Sequence, residues 1–297
     1  MSRLLEVAQQ ALRQRKSQVV MNATWSEIHN QWGVGTPLGR HLSLTSEDLG
    51  VLRERCQRHF GGDIVNIDRS QRRSDLASDI TDEKQSRQAA FGQLIRVAST
   101  EGGVYFDSEG HSDSAAWLPA PPGVLLSLDA NGLVFDPERM ARVLVIENGD
   151  LMERWWDILP TLPEKWRRQT LLVYRGHRHD SALLKRWIEK RRGSITLGFY
   201  GDLDPAGLMI AISNYAALVP KGEFAIFAPE KPETLPRDWS KATTFSDQTA
   251  ARAYLDSRRA HYPGWSPLIN NVLEQQLAIT QEKLLIKGIS VVEQYQG

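Results

Sequence analysis

Phe199-Tyr200-Gly201-Asp202-Leu203-Asp204-Pro205-Ala206-Gly207 is the stretch that decides the fold. The apolar run over residues 195–200 ends in two acids one residue apart, and Pro205 then opens a helix-like segment over residues 206–218. Proline is favoured at the first helical position, where its missing N–H would have no partner anyway. Asp202 and Asp204 therefore stand where a strand hands over to a helix. Upstream, Glu147 ends a second apolar run, Arg142-Val143-Leu144-Val145-Ile146. The carboxyl ends of parallel strands are where open α/β sheets place their chemistry. Carboxylates converging there suit a hard divalent cation such as Mg²⁺ or Mn²⁺, and with it phosphate chemistry.

Working outward, the chain alternates strand and helix from about residue 140. Strands are expected at 143–146, 171–174, 195–200 and 224–227. Helices are expected at 151–159, 181–192 and after Pro205. This alternation implies βαβ crossovers and a buried parallel sheet, an α/β fold. Residues 229–240 are loop-rich, followed by helical patterns at 248–259 and 267–286.

Before residue 140 the pattern differs. The section to about Gly62 has helical character: Leu4, Leu5, Ala8 and Leu12 recur at helical spacing. Thr24 or Ser26 would cap a second helix, and Thr45-Ser46-Glu47-Asp48 resembles a capping box opening a third, after a turn rich in glycine (Gly33, Gly35, Gly39). Short helices on tight turns make either a winged-helix module or a helical cap or dimerisation arm. Residues 66–84 mix Arg69, Arg72 and Arg73 with acids, as a linker or exposed loop does. A helix is expected over 83–99, with Ala89, Phe91, Leu94, Ile95 and Val97 on its apolar side. Short strands are expected at 104–106, 124–128 and 133–135, the last two joined through the turn Asp129-Ala130-Asn131-Gly132. The expected divisions are 1–62, 63–139, 140–235 and 236–297.

Composition narrows the classes. At 297 residues the chain can bury a substantial core. Its 36 Lys and Arg balance 36 Asp and Glu, so any nucleic-acid surface must come from local patches. Cys56 is the only cysteine, which excludes an intrachain disulfide and a thiolate zinc cluster and fits a reducing cytoplasm. No apolar run approaches the roughly 20 residues of a membrane helix. Residues 1–16 carry Glu, Gln and Arg among their apolar positions, unlike a signal peptide.

A lone Asp-x-Asp is a weak signal. Between a buried strand and a Pro-initiated helix, with Gly207 allowing close backbone approach and Glu147 ending a sister strand, the site resembles the Toprim domain of topoisomerases, bacterial primases and certain nucleases. The string Gly201-Asp202-Leu203-Asp204-Pro205-Ala206-Gly207 is similar to the form found in the topoisomerase VI A subunit and in nucleases of the JetD/MksG type. Those nucleases accompany condensin-like SMC complexes in plasmid defence. The resemblance covers about residues 140–227. It implies that Asp202 and Asp204 ligate Mg²⁺ or Mn²⁺ and that Glu147 is a third ligand or the general acid/base. It also implies a dimer acting on DNA, partnered by SMC subunits. Near the end, Leu273-Glu274-Gln275-Gln276 resembles an L-E-Q-E signature of JetD-type proteins, with Gln276 replacing the second acid, and offers Glu274 as a further ligand.

Two basic features adjoin the site. Arg175, His177 and Arg178 follow the second strand, and they either hold DNA phosphate or form an exposed loop ahead of Asp180 as a helix cap. Lys185 and Arg186 lie on a basic helix that either grips phosphate or faces solvent. Topoisomerases of this kind use a tyrosine from a helical domain, whereas the only tyrosine before Glu147 is Tyr105, in an expected strand. A water-using endonuclease is therefore the expected activity. The alternatives are a topoisomerase VI A-like transesterase, or a DNA-binding or loading subunit whose Toprim fold is structural.

Overall fold

In the computed structural model the described residues are 2–68, 79, 94–109, 113–177 and 179–296. The chain divides into two units, Met1–Gly92 and Gln93–Gly297. Most of the expected linker at 66–84, with Arg69, Arg72 and Arg73, lies outside the described residues, as does the 83–93 part of the expected helix.

The first unit contains helices α1 (Ser2–Gln14), α2 (Ala23–Trp32) and α3 (Ser46–Phe60). Strands β1 (Gln18–Val20), β2 (Thr36–Leu38) and β3 (His41–Ser43) form an antiparallel sheet in the order β1-β3-β2. The sheet was not legible in the sequence, because β2 falls in the stretch expected to be a turn and strands of three residues carry too little alternation to read. Leu5, Ala8, Ile28, Leu42, Leu52, Cys56 and Phe60 bury the apolar faces of these elements in one core. The capping box holds as expected: Thr45 accepts from Asp48 N, and the Asp48 carboxylate accepts from Thr45 N. Helix α2 is capped by Asn22 rather than by Thr24 or Ser26, its Oδ1 accepting from Trp25 N at 3.1 Å. Burial pushes the Cys56 thiol up to about 12, which leaves it an inert core group.

The second unit is built on one mixed sheet. Its strands are β4 (Leu94–Ser99), β7 (Leu126–Asp129), β9 (Arg142–Ile146), β10 (Thr170–Tyr174), β11 (Thr196–Tyr200), β12 (Phe224–Pro229) and β13 (Val291–Tyr295). Their spatial order is β13-β12-β11-β9-β10-β4-β7. The middle strands β12, β11, β9 and β10 are parallel, as expected, while β13, β4 and β7 are added antiparallel. Strands β5 (Gly103–Phe106), β6 (Ala116–Pro119) and β8 (Leu133–Val134) make a separate small sheet.

Helices α4 (Gly149–Glu153), α5 (Trp155–Ile158) and α6 (His179–Glu189) follow β9 and β10. After β11 comes α7 (Pro205–Ile210), continued by a π-helical turn, Ala211–Tyr215. Helices α8 (Ala242–Asp247), α9 (Thr249–Arg258), α10 (Ser266–Glu274) and α11 (Gln281–Ile286) complete the unit. Both sheet faces are covered. Val143, Val145, Leu197 and Phe199 pack in one cluster, and Leu144, Ile146, Tyr200 and Trp166 in the other. This two-sided burial explains the near-continuous apolar runs of the central strands.

Several expectations are corrected. Residues 94–99 form strand β4 rather than the end of a helix. The turn at Asp129–Gly132 exists, with Gly132 N donating to Asp129 O at 3.1 Å, but its flanking strands join different sheets and form no hairpin. The expected helix at 267–286 is broken at Gln276, whose φ of 55° is left-handed, and residues 277–280 run extended. Strand β13 was not anticipated. Because β4, β7 and β13 share the central sheet, the expected boundaries at 139 and 235 fall within one unit.

Candidate functional site

Strand order creates the site. The chain leaves β9 toward β10 on one side, then returns to β11 and continues to β12 on the other. Adjacent strands whose connections leave in opposite directions open a crevice at their carboxyl ends, where α/β sheets bind ligands. Strands β9 and β11 are that pair. Ile146 lies opposite Tyr200, and Glu147 N donates to Tyr200 O at 3.0 Å, so Glu147 and Asp202 emerge at one level.

The three acids named from the sequence converge here. Glu147 Oε2 accepts from Asp202 N at 3.3 Å, and its Oε1 is 3.4 Å from Arg175 Nη2. Asp204 is buried and caps α7: its Oδ1 accepts from Gly207 N at 2.7 Å and its Oδ2 from Gln248 Nε2 at 2.5 Å. Asp202 Oδ1 accepts from Gln281 N at 2.9 Å.

Two glycines make the packing possible. A Cβ at position 201 would meet Glu147 Oε2 at 2.7 Å, and one at 207 would meet Asp202 O at 2.3 Å. The close approach expected of Gly207 is therefore present. Gly207→Ala must displace the Asp202 backbone and is expected to lower the unfolding free energy by about 1–3 kcal/mol, measured by urea denaturation.

The electrostatics follow from burial. Removal from water pushes the Asp202 carboxyl up to about 7, against the opposing hydrogen bond from Gln281 N. Glu147, Asp204 and Glu282 add like-charge repulsion. Glu147 is also raised, chiefly by burial, with Arg175 pulling the other way. Burial likewise raises the hydroxyls of Tyr200, far above the ordinary tyrosine range, and of Tyr215, to about 12.

The remaining expected residues fall in different places. Arg175 reaches the site, paired with Glu147. His177 is exposed and shares a 2.9 Å hydrogen bond with the Tyr174 hydroxyl. Arg178 lies outside the described residues. Lys185 donates to Asn214 Oδ1 at 3.2 Å, and Arg186 is exposed on α6. Glu274 is exposed at the end of α10. The C-terminal acid placed beside the aspartates is instead Glu282, on α11, whose Oε1 accepts from Asn148 Nδ2 at 2.6 Å.

The sequence reading missed Glu282, Gln281, Asn148 and Gln248. The available signal was Thr280, which caps α11 by accepting from Lys283 N at 3.4 Å and so marks a new helix start after the break at Gln276.

The family model described as Domain of unknown function (DUF7281) matches residues 92–292, more than half of the chain. The chain belongs to that family. The matched region contains Glu147, Asp202, Asp204 and Glu282. Comparisons with curated proteins and with solved structures gave no match. Among the described residues, no helix is long and apolar enough to cross a membrane.

Proposed function

We propose that this chain is a divalent-metal-dependent DNA endonuclease with a Toprim-like site, resembling nucleases of the JetD/MksG type. The observation that carries the reading is the convergence of Glu147, Asp202 and Asp204 in the crevice between β9 and β11, with the carboxyl of Asp202 raised to about 7. Buried carboxylates that repel one another are destabilising alone and favourable around a cation. Among the described residues no group of three His, Cys, Asp or Glu side chains is placed to hold a metal ion. Mg²⁺ does not require one, since it binds through one or two carboxylates, keeps several waters and shares the substrate phosphate. The donor set therefore fits Mg²⁺ or Mn²⁺.

When bound, the ion supplies charge for the scissile phosphate and the departing 3′-oxygen. Asp202 and Asp204 hold it, Asp204 being oriented by Gly207 N and Gln248. Glu147 takes a proton from the water that attacks phosphorus as the bond to the 3′-oxygen breaks; burial raises its pKa, which favours accepting that proton. Arg175 partners Glu147 and adds positive charge at the phosphate. Water is the nucleophile in this reading because Tyr200 and Tyr215 are buried and hold their protons, while Tyr105 lies on β5, where Arg139 binds its hydroxyl.

The N-terminal unit supports a winged-helix-like reading, with the β2–β3 hairpin as the wing. The zero net charge favours delivery of DNA by a partner, a condensin-like SMC complex, and a homodimer would bring two sites to one duplex. Asp204→Asn tests the function, since asparagine keeps the helix cap. The variant is expected to lose Mn²⁺-dependent cleavage of supercoiled plasmid by about 10²-fold or more while keeping DNA binding. Unchanged cleavage would remove the nuclease site from these residues. Binding without cleavage in the wild type would favour a loading subunit.

A further inference from the structure

We infer that Glu282 belongs to the cation site, and that Asp202 and Glu282, with the Tyr200 hydroxyl beside them, seat one divalent cation that prefers oxygen ligands. The inference rests on the cation-site reading above and adds a residue from a segment that lies beyond the Asp-x-Asp motif.

Backbone pairing brings that segment in. Leu203, between the two aspartates, forms an isolated antiparallel bridge with Ile279: Leu203 N donates to Ile279 O at 2.9 Å, and Ile279 N to Leu203 O at 3.1 Å. Gln281, fully buried, then staples three ends together. Its N donates to Asp202 Oδ1 at 2.9 Å, its Nε2 donates to Tyr200 O at 2.9 Å, and its Oε1 accepts from Asn148 N at 3.0 Å. The next residue is Glu282. Asn148, immediately after Glu147, fixes one of its carboxylate oxygens at 2.6 Å.

Two buried oxygens at this place have no hydrogen-bond partner: Glu282 Oε2 and the hydroxyl of Tyr200, a residue only 1% exposed. A buried carboxylate oxygen left unpaired is costly, and a native chain rarely keeps one without reason. The like charge of Glu282 beside Asp202 compounds the cost. A divalent cation answers both problems. It neutralises the two carboxylates, takes Glu282 Oε2 as a ligand, and brings waters for the Tyr200 hydroxyl to bond. Two carboxylates and a neutral oxygen, with no sulfur or imidazole, select Mg²⁺ or Mn²⁺ over softer ions.

Mn²⁺ titration of the full chain, with free ion measured by electron paramagnetic resonance, tests this without any activity assay. Glu282→Gln keeps the acceptor for Asn148 and is expected to weaken Mn²⁺ binding by about 10–100-fold, with Tyr200→Phe weakening it less. Glu274→Gln, on the exposed end of α10, should leave it unchanged. Glu282→Asp, which keeps the charge on a shorter arm, decides the matter if the glutamine variant does not fold, and intermediate weakening is expected. Wild-type affinity in Glu282→Gln or in Glu282→Asp would overturn the role of Glu282, and loss in Asp202→Asn alone would then leave the nuclease reading standing. No Mn²⁺ binding by the wild type would overturn both.

Discussion

Asp202→Asn is expected to make the cation-free protein more stable at pH 8, by roughly 2–4 kcal/mol. The sign follows from the direction of the shift. Asp202 titrates at about 7 in the native state, against 3.8 for the free side chain. The native state therefore holds its proton more tightly than the unfolded chain does. That contribution is fully present below pH 4, falls away as pH rises through 7, and is gone at pH 8. Asparagine carries no charge to bury and can still accept from Gln281 N through its own Oδ1. The gain should thus be large at pH 8 and vanish near pH 4, read from melting curves across that range in chelator. Saturating Mn²⁺ should reverse the order: about 2.7 kcal/mol for the wild type at a hundredfold excess over Kd, and far less for the variant. Equal melting temperatures at pH 8 without cation would mean that Asp202 is not strained by burial. A site that destabilises its own fold until a ligand arrives is the usual exchange between function and stability.

Trp166→Ala should be a strongly damaging core substitution, costing about 3–5 kcal/mol. Trp166 is fully buried and stands edge-on to Phe227 of β12, with ring centroids 4.9 Å apart. Its Nε1 donates to Glu293 Oε1 at 2.5 Å, which ties the short helical turn at residues 164–167 to β13. Glu293 also accepts from Lys165 Nζ at 2.8 Å and from the Tyr295 hydroxyl at 2.8 Å. Removing the indole leaves a large cavity and an unsatisfied partner on the strand that follows α11, the helix bearing Glu282. Trp166→Phe, which restores most of the volume without the donor, should cost less, and the difference isolates the hydrogen bond. Calorimetry of both variants checks this. A shift of under 1 kcal/mol for alanine would contradict the packing described.

The central sheet was legible because its inner strands are buried on both faces. Val143-Leu144-Val145-Ile146 and Thr196-Leu197-Gly198-Phe199-Tyr200 carry no polar alternation that would confuse the period. The acids at their ends were legible for the same reason. Strand β4 was not: Leu94, Ile95 and Val97 fit a helical stripe as well as a strand, and only pairing with β10 and β7 chooses between them. Strand β13 was hidden because Val291 is its only fully buried residue, the rest being half-exposed at a sheet edge. The break at Gln276 was hidden because a left-handed non-glycine residue leaves no local mark. Glu274 was offered as the C-terminal acid by the L-E-Q-E resemblance alone, and an expected continuous helix from Pro267 gives Glu282 no reason to turn back. The Leu203–Ile279 bridge supplies the reason, and it depends on residues 76 positions apart, which no local pattern records.

The central claim is that these carboxylates hold the metal of a water-using nuclease. It is tested most directly by incubating supercoiled plasmid with Mn²⁺ and either the wild type or Glu147→Gln, then denaturing the products with detergent before electrophoresis. The expected result is nicked or linear DNA with protein-free ends from the wild type, and intact plasmid from the variant. Protein covalently attached to the DNA ends, or equal cleavage by both proteins, would contradict it.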